Sequence, residues 1–523
     1  MISNQKHSIN KIVLEVYTNS TSLGYELKDN LPVFFKDDFL PSLEDYFSSI
    51  EHLLPPKIFH IPKLNLEINV GSTNGFEALK TEVKEKLIYE IANILKSPSE
   101  SKNLILIDTQ EREVNSLLFF IEHGYLPWWH SIEVSSLFTI EGFKYIATNT
   151  SLQNKLKELL KKANSKKRCI LQFSNKELQF LLRAVFNEDE KISVVNQQVV
   201  GKLKQLTTPS RALVWVLIID YLLSKNESVL IQKLHNELVL TSGSNDKNRP
   251  AFAEITLIIL KQLLSLRKAD ISSVLQNQFK GNSQKKETII SSILSICNQL
   301  GLADTADKFV KSVGYEFADK INKLKFFDTD NSKENTSHQI KNESFSTFNF
   351  EEEKEVLETD ASYYIQNAGL VITHPYIPRF LQHCGLLDDS YAFTDREMAA
   401  HTLHYLATKE EQQLESEMVF EKFICGIPIT QSINRHIQLS DTIKNQVEIL
   451  LKSIIENWGS LGNVSTDLLR HEFLKREGKL CFKDDNPKVI IERKTQDILV
   501  DKLPWGISLF KLPWMDKIIY TNW

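Results

Sequence analysis

The sequence LNLEINVGSTNGFEALKTEVKEKLIYEIANILK, residues 64–96, indicates the fold class because its apolar period changes halfway. Up to Val70, apolar and polar residues alternate, which is the period of a half-buried β-strand. After Gly75 the apolar residues recur every three or four positions, as in an amphipathic helix: Leu79, Val83, Leu87, Ile91 and Leu95. A strand followed by such a helix predicts an α+β unit.

The residues before this stretch repeat the same order. Alternation around Ile12, Leu14 and Val16 predicts another strand. Apolar residues at helical spacing between Phe39 and Ile50 predict a helix that packs on a sheet. We therefore predict an N-terminal α/β unit, an α+β head, over residues 1–130.

The middle region, residues 131–325, is predicted to be all-helical. Its apolar stripes, such as Leu178–Val185 and Leu213–Leu222, are separated by polar breaks at 207–209 and 242–248. These breaks favour stacked short helices over one unbroken helix.

The third part of the chain begins after a polar linker. Residues 326–350 are dominated by Asn, Ser, Thr and Lys, a composition predicted to be disordered. Residues 351–523 are predicted to form a C-terminal α+β domain that is mainly helical and ends in a small β-hairpin. We expect helices at about 394–408 and 440–458, and a third that opens at Thr466-Asp467. The hairpin is placed at Val489–Arg493 and Asp497–Asp501. The fold class is thus α+β and predominantly helical.

Composition excludes several classes of protein. With 62 Lys+Arg against 67 Asp+Glu, the net charge of −5 argues against nucleic-acid binding as the main purpose. The five cysteines lack any CxxC pair, so reduced thiols in the cytoplasm are expected. The longest apolar run, Ala212–Ile219, is too short for a membrane span, and the first residues show no signal-peptide core.

Candidate chemistry is sparse. No nucleotide, hydrolase, metalloprotease or kinase motif occurs. His401 and His404, three residues apart on a predicted helix, could ligate a metal, although buried core histidines are the favoured interpretation. The run Lys155–Arg168 holds seven basic residues and one acidic residue, so it could contact an acidic partner or nucleic acid; a solvated helix end running into a loop is favoured. We predict no catalytic, cofactor-binding or metal-binding residue.

The tripeptide Leu-Pro-Trp occurs three times, at 126–128, 503–505 and 512–514. Proline fixes a bend and the indole can then hold that bend against a neighbouring surface. That surface could lie in the same domain or on a partner, since Trp is enriched in interface hot spots. The candidate anchors or docking residues are Trp128, Trp129, Trp505, Trp514 and Trp523.

These turns belong to longer strings that carry a family resemblance. The strings are FIEHGYLPWW (120–129), IQNAGLVITHPYIPRFL (365–381), LHYLAT (403–408), EKFICGIPI (421–429), LLRHEFLKREGKL (468–480) and DKLPWGISLFKLPWM (501–515). Together they resemble the tape measure protein family of extracellular contractile injection systems, phage-tail-like particles of the antifeeding-prophage and virulence-cassette type. The resemblance is moderate over about 1–130 and strong over about 360–523.

The resemblance implies a structural role without cofactor or catalytic residue. The protein would associate with the inner tube in the cytoplasm and help to fix the tube's length before the sheath polymerises, and the particle could carry it out. Inner-tube and baseplate or cap proteins would be its partners, and a homo-oligomer within the tube stays open. An adaptor between baseplate and tube, or an assembly chaperone, is the alternative. A metal-dependent enzyme around His401 and His404 is the least favoured interpretation.

Helix geometry sets the reach of such a ruler. At about 1.5 Å per residue, a fully helical chain of 523 residues spans at most about 785 Å. Because both ends read as compact heads, only the central ~200 residues and the linker suit a spacer, or roughly 300 Å. Whether its helices stack or extend stays open at this stage.

Overall fold

The protein is described by a computed structural model, in two compact units. Met1–Leu118 and Pro127–Tyr145 form the first unit, and Phe119–Leu126 and Ile146–Trp523 form the second. The structure describes residues 21–50, 58–61, 63–68, 75–96, 105–130, 138–187, 189–226, 361–483 and 486–523, with isolated positions within 9–17 and 229–259. The domain boundaries expected from sequence stay predictions, and the expected linker, 326–350, lies outside the described residues.

The first unit combines helices with a small antiparallel ladder. Its elements are α1 (Thr21–Phe34), a π-helical turn (Phe35–Phe39), α2 (Leu40–Ile50), β1 (Ile58–His60), α3 (Gly75–Lys96) and β2 (Ile105–Ile107), and the first ten residues of α4 (Thr109–His123) follow. β1 and β2 pair antiparallel, Phe59 opposite Leu106. The predicted helices near 39–50 and 79–95 are confirmed by α2 and α3.

The strand predicted over 64–70 is wrong where the structure describes it, because residues 63–68 form no strand. Their alternating apolar side chains Leu64, Leu66 and Ile68 instead pack against the helical core around Phe34 and Leu87. Within the described residues, the alternation is thus explained by burial against helices. The strand predicted near Ile12 lies outside the described residues.

The described part of the middle region consists of stacked short helices, as predicted. They are α5 (Ile140–Thr148), α6 (Thr150–Lys161), α7 (Ala163–Gln172), α8 (Asn175–Val185), α9 (Gln197–Leu203) and α10 (Thr208–Ser224). Polar side chains at the breaks cap the N-termini of these helices. Ser174 and Glu177 form a capping box at α8, and Asn149 and Asn196 cap α6 and α9. Pro209 lies in the first turn of α10, where its missing N–H is not needed. The break at 242–248 is outside the described residues.

Residues 361–523, called here the C-terminal head, combine short helices with a sheet. The α-helices are α11 (Ile377–His383), α12 (Arg396–Thr408), α13 (Val419–Ile424), α14 (Asp441–Asn457) and α15 (Thr466–Leu469). The helices predicted at 394–408 and 440–458 are confirmed, and Asp395 and Ser440 cap them. The third helix is capped by Ser465, one residue before the predicted position, and continues as a π-turn, Arg470–Leu474.

The sheet of the C-terminal head has strand order β3-β4-β5-β7-β6. The strands are β3 (Ser362–Ile365), β4 (Gly478–Lys483), β5 (Asn486–Ile491), β6 (Leu509–Phe510) and β7 (Ile519–Asn522). β5 and β7 run parallel, and the other neighbours are antiparallel. One face contributes side chains such as Ile365, Leu480 and Val489 to the buried core.

The hairpin predicted from 489–493 and 497–501 is wrong in register. The structure pairs β4 with β5, Leu480 opposite Val489, and places 497–501 in a 3-10 helix, Thr495–Lys502. The physical reason is Asp497, whose carboxylate is buried in a bidentate pair with Arg476, at 2.7 Å for each hydrogen bond. That contact draws the segment off the sheet.

Candidate functional site

The second Leu-Pro-Trp turn lies against the start of the C-terminal head. The indole Nε1 of Trp505 donates to the carbonyl oxygen of Ile372 at 2.9 Å, and its ring meets Tyr376 edge to face at 5.4 Å between centroids. Both contacts are made within the head, so this indole fastens the loop after the 3-10 helix to the turn before α11.

The third turn repeats the arrangement on another element. The Nε1 of Trp514 donates to the Ile424 carbonyl oxygen at 2.7 Å, at the end of α13. Its ring lies edge to face on Phe393, 5.0 Å between centroids. A carbonyl at a helix C-terminus has no partner within the helix, so the indole satisfies an acceptor that would otherwise need water.

Trp523 belongs to a buried charge cluster. Its Nε1 donates to Asp497 Oδ2 at 2.8 Å, and the Arg476 guanidinium lies 5.4 Å from its ring centroid. Burial alone raises the pKa of Asp497, but hydrogen bonds from Arg476, from the Lys494 backbone and from Trp523 outweigh burial and lower that pKa. The carboxylate is therefore held ionised.

Of the first Leu-Pro-Trp turn, Pro127 and Trp128 belong to the first compact unit and Leu126 to the second. Residues Pro127–His130 form a turn closed by a 2.9 Å hydrogen bond from the His130 amide to the Pro127 carbonyl oxygen. The Arg112 guanidinium donates to the Trp129 carbonyl oxygen. Trp128 and Trp129 are both half-buried. Whether the five tryptophans act in docking stays a prediction.

Sequence reasoning missed a cluster of three buried charges. They are Arg168 on α7, Glu415 in the 3-10 turn Glu415–Glu417, and Lys422 on α13, and none of their side chains is exposed to solvent. Arg168 Nε donates to Glu415 Oε1 at 2.5 Å, and Lys422 Nζ donates to Glu415 Oε2 at 3.2 Å. Lys422 also donates to the Ile429 carbonyl oxygen at 2.5 Å. The only sequence signal was Arg168 at the end of the basic run, where a solvated side chain was favoured.

The remaining donors of Arg168 bind backbone carbonyls. Its Nη1 donates to Ile121 and Glu122 at 2.8 and 3.0 Å, which are carbonyls at the C-terminal end of α4, and Nη2 donates to Thr430. A cation is favoured there by the helix dipole. Gly124, at φ +85°, leaves room for the guanidinium, because a Cβ would lie 2.8 Å from Nη2.

Further polar contacts join the α7 region to the C-terminal head. The Gln172 side chain accepts from the Glu415 amide at 2.8 Å and donates to the Ile433 carbonyl at 2.7 Å. Arg435 donates to the Gln172 carbonyl at 3.2 Å. We call these contacts, together with the Arg168 cluster, the joint. The fully buried residues of the head's apolar core are drawn from residues 363–519, and Tyr125 packs against that core.

Three of the six lysines in the basic run pair with carboxylates of the same chain. Lys161 pairs with Glu158 and Lys162 with Glu122, both at 2.6 Å, and Lys166 pairs with Asp220. Residues 163–172 are helical, where the favoured interpretation placed a loop. Much of this basic run therefore forms ion pairs within the chain.

His401 and His404 lie on α12 and are buried. His401 Nε2 donates to the Asn434 carbonyl at 2.8 Å, and burial lowers the pKa of His401 to about 4. His404 Nδ1 lies 3.0 Å from Glu421 Oε1, which also accepts from Asn367 at 2.6 Å. Within the described residues, no three His, Cys, Asp or Glu side chains are grouped to hold a metal. The histidines are thus placed as core residues with polar partners.

Two further properties of the described part bear on function. Burial raises the pKa of Cys169 and of Cys384 to about 12, which keeps both thiols protonated. Among the described helices, none is both long enough and apolar enough to cross a bilayer.

Comparison with known proteins identifies the family. Residues 6–523 match the family described as contractile injection system tape measure protein. No curated protein and no solved structure matches the chain. The family match confirms the resemblance seen in the sequence and favours the tape-measure role over that of an adaptor or chaperone. Because the match covers nearly the whole sequence, the chain belongs to the contractile injection system tape measure protein family and has its structural role.

Proposed function

We propose that the C-terminal head, together with α6–α10, acts as one folded docking block. Inner-tube and baseplate or cap proteins would bind this block while the particle assembles in the cytoplasm. The role is structural, and it requires no catalytic residue, cofactor or nucleic acid.

The joint is the observation that supports this proposal. Arg168 and Glu415 are both fully buried, and Arg168 also donates to the backbone carbonyls of Ile121 and Glu122, while Gln172 donates to that of Ile433. Breaking one partner of such a pair typically costs several kcal/mol, because a charge is left buried and unpaired. We therefore expect the block to stay closed, because opening it would separate Arg168 from Glu415.

A closed joint limits how the chain can measure length. Lys225 after α10 and Ala361 before β3 belong to the same compact unit, so a closed block would hold both ends of the chain between them. Length added between these points is then shared by an outgoing and a returning path. At about 1.5 Å per helical residue, a change of about 30 residues alters the axial reach by about 22 Å, against about 45 Å if the joint opens.

Two matched deletions of about 30 residues test this proposal. A deletion within residues 265–320 should leave particles that assemble with tubes shortened by about 22 Å, rounded to whole tube rings. A deletion of equal size within 150–185 removes Arg168 and should abolish particles. Electron microscopy of the particles measures both.

Three outcomes would contradict the proposal. Tubes of unchanged length across a graded series in 265–320 would show that this segment carries no length information. Tubes shortened by the full ~45 Å would show that the block opens in the particle. Intact particles from the 150–185 deletion would show that α6–α8 are not part of the docking block.

A further inference from the structure

Residues 431–437, in the segment between α13 and α14, connect α7 to the C-terminal head. We call them the latch loop. On the side of α7, the Arg435 amide donates to the Leu171 carbonyl oxygen at 3.2 Å. On the side of the head, the Ile433 amide donates to Glu415 Oε2 at 3.2 Å. The latch loop is therefore hydrogen-bonded to both parts of the joint.

Two arginines bind the last carbonyls of α7. Arg211 on α10 donates through Nη1 to the carbonyl of Ile170 and through Nη2 to that of Phe173, each at 2.6 Å. Arg435 Nη1 donates to the Gln172 carbonyl oxygen at 3.2 Å. The C-terminal carbonyls of a helix lack partners within it and form the negative end of its dipole, so cations are favoured beside them. Two positive charges already lie at this helix end.

His436 of the latch loop faces the same helix end. Its imidazole hydrogen-bonds to the backbone of Phe173, whose carbonyl also accepts from Arg211. The Nε2 of His436 is buried and has no hydrogen-bond partner in the part of the chain that the structure describes. In a neutral imidazole this nitrogen can carry the lone pair, whereas an imidazolium would place there a buried N–H without an acceptor. Protonation would also add a third positive charge at this helix end.

The charged groups around His436 oppose its protonation. Burial is the main cause that lowers the pKa of His436, and Arg211 and Arg435 lower it further. The hydrogen bond to Phe173 and the carboxylate of Glu177 on α8 raise that pKa, but they do not outweigh the other causes. Glu177 Oε2 already lies 3.8 Å from Arg435 Nη1, so its charge is shared.

The head side of the latch loop also faces groups that take up protons in acid. Besides His401, which donates to the carbonyl of Asn434, Glu397 accepts from the Asn434 amide at 3.3 Å. Burial raises the pKa of Glu397, so its negative charge is lost at a higher pH than usual. The other titratable groups near His401 and Glu397 are Lys167, Asp395, His404, Glu411 and Glu415. Acid thus adds positive charge or removes negative charge on both sides of the latch loop.

We propose that the latch loop is an acid-sensitive device, in which protonation of His436 loosens the joint between α7 and the C-terminal head. The proposal rests on the docking block and names a condition that regulates it. A histidine of the unfolded or released chain titrates at about pH 6.5, and His436 in the closed joint does so at a lower pH. The released state therefore binds more protons, and release is favoured as the pH falls below about 6.5.

Hydrogen–deuterium exchange of the full-length protein tests this proposal. Peptides that cover the latch loop report on the joint, because the Arg435 amide is bonded across it. Peptides from α14, whose Val447 and Leu451 are buried in the core, report on the head. After correction for the intrinsic exchange rate, the latch loop should exchange severalfold faster relative to α14 at pH 5 than at pH 7.

Two matched substitutions assign the effect to one side chain. His436→Gln keeps a side chain that can hydrogen-bond to Phe173 but gains no charge in acid, so it should remove most of the acceleration at pH 5. His383→Gln makes the same change at an exposed position of α11 and should leave the acceleration unchanged.

Equal ratios of latch-loop to α14 exchange at pH 5 and pH 7 would overturn the proposal, and this comparison needs only the unmodified protein. So would an acceleration that persists in His436→Gln or that His383→Gln removes equally. Acceleration of α14 together with the latch loop would also overturn it, because the whole head would then be unfolding. None of these outcomes bears on the docking block itself, which is judged by tube length and by the 150–185 deletion.

Discussion

Replacing Glu415 with glutamine removes the only carboxylate that contacts both Arg168 and Lys422 among the described residues. The two side chains are nearly the same size, so no cavity is created. What changes is charge: the cluster goes from one net positive charge to two, in a place where none of the three side chains is exposed.

The expected cost follows from this burial. Removing one partner of a buried ion pair costs about 3–5 kcal/mol, and the Glu415 carboxylate pairs with both Arg168 and Lys422. For a unit of this size, 1 kcal/mol lowers the melting temperature by about 2 °C. We expect Glu415→Gln to lower the melting transition of the second unit by about 8 °C.

Lys422→Met is the matched variant. It leaves Arg168 and Glu415 as a neutral pair and gives up hydrogen bonds to Glu415 and to the Ile429 carbonyl. An unsatisfied buried acceptor costs about 1–3 kcal/mol, so the melting temperature should fall by about 2–6 °C. The cost should therefore be smaller than that of Glu415→Gln, although Lys422→Met replaces a whole charged side chain.

Differential scanning calorimetry of the full-length variants measures this order. If Lys422→Met destabilised the protein as much as Glu415→Gln or more, charge balance would not govern the joint. Its hydrogen bonds, or the packing of the lysine chain, would then be the dominant contribution.

Two more predictions concern single side chains of the C-terminal head. Trp514→Phe keeps an aromatic ring but leaves the Ile424 carbonyl without its donor, so it should lower the free energy of unfolding by about 1–2 kcal/mol. Trp514→Ala also loses the packing on Phe393 and should lower it by about 3 kcal/mol. Equal losses of stability in calorimetry would contradict a role for the ring. The pKa of His401 is about 4 in the folded protein and about 6.5 unfolded, so the unfolded chain binds more protons between these values and stability falls as pH is lowered from 6.5 towards 4. His401→Gln should make the melting temperature less dependent on pH over this window, and identical pH profiles would refute it.

The joint bears on the length of the spacer that we predicted from the sequence. A spacer of about 200 helical residues reaches roughly 300 Å only if its helices extend. In the structure, α6, α7, α8 and α10 pack against one another, and α7 is fixed to the C-terminal head through Arg168. If the proposed block stays closed in the particle, the part of the chain left to measure length is shorter than composition suggested.

Much of the helical structure could be predicted because its signals are local. The stripe from Leu79 to Leu95 lies on one face of α3, and Asp395 and Ser440 begin α12 and α14. A stripe and a cap depend only on residues three or four positions apart, so both are visible in the sequence. The short strings that carry the family resemblance are likewise visible in the sequence, and they indicate the function.

Pairing over long distances was decided by the tertiary structure alone. Alternation at Leu64–Ile68 could not show that these residues pack on helices rather than form a strand, and nothing in the sequence near Asp497 indicated its pairing with Arg476, 21 residues away. Arg168 looked like the end of a solvated basic run until Glu415, 247 residues later, was placed against it. The sequence determines which segments can be helices or strands, because those preferences are short-ranged. Only the folded chain determines which charges are buried, because a charge leaves water only where a distant opposite charge and backbone carbonyls replace it.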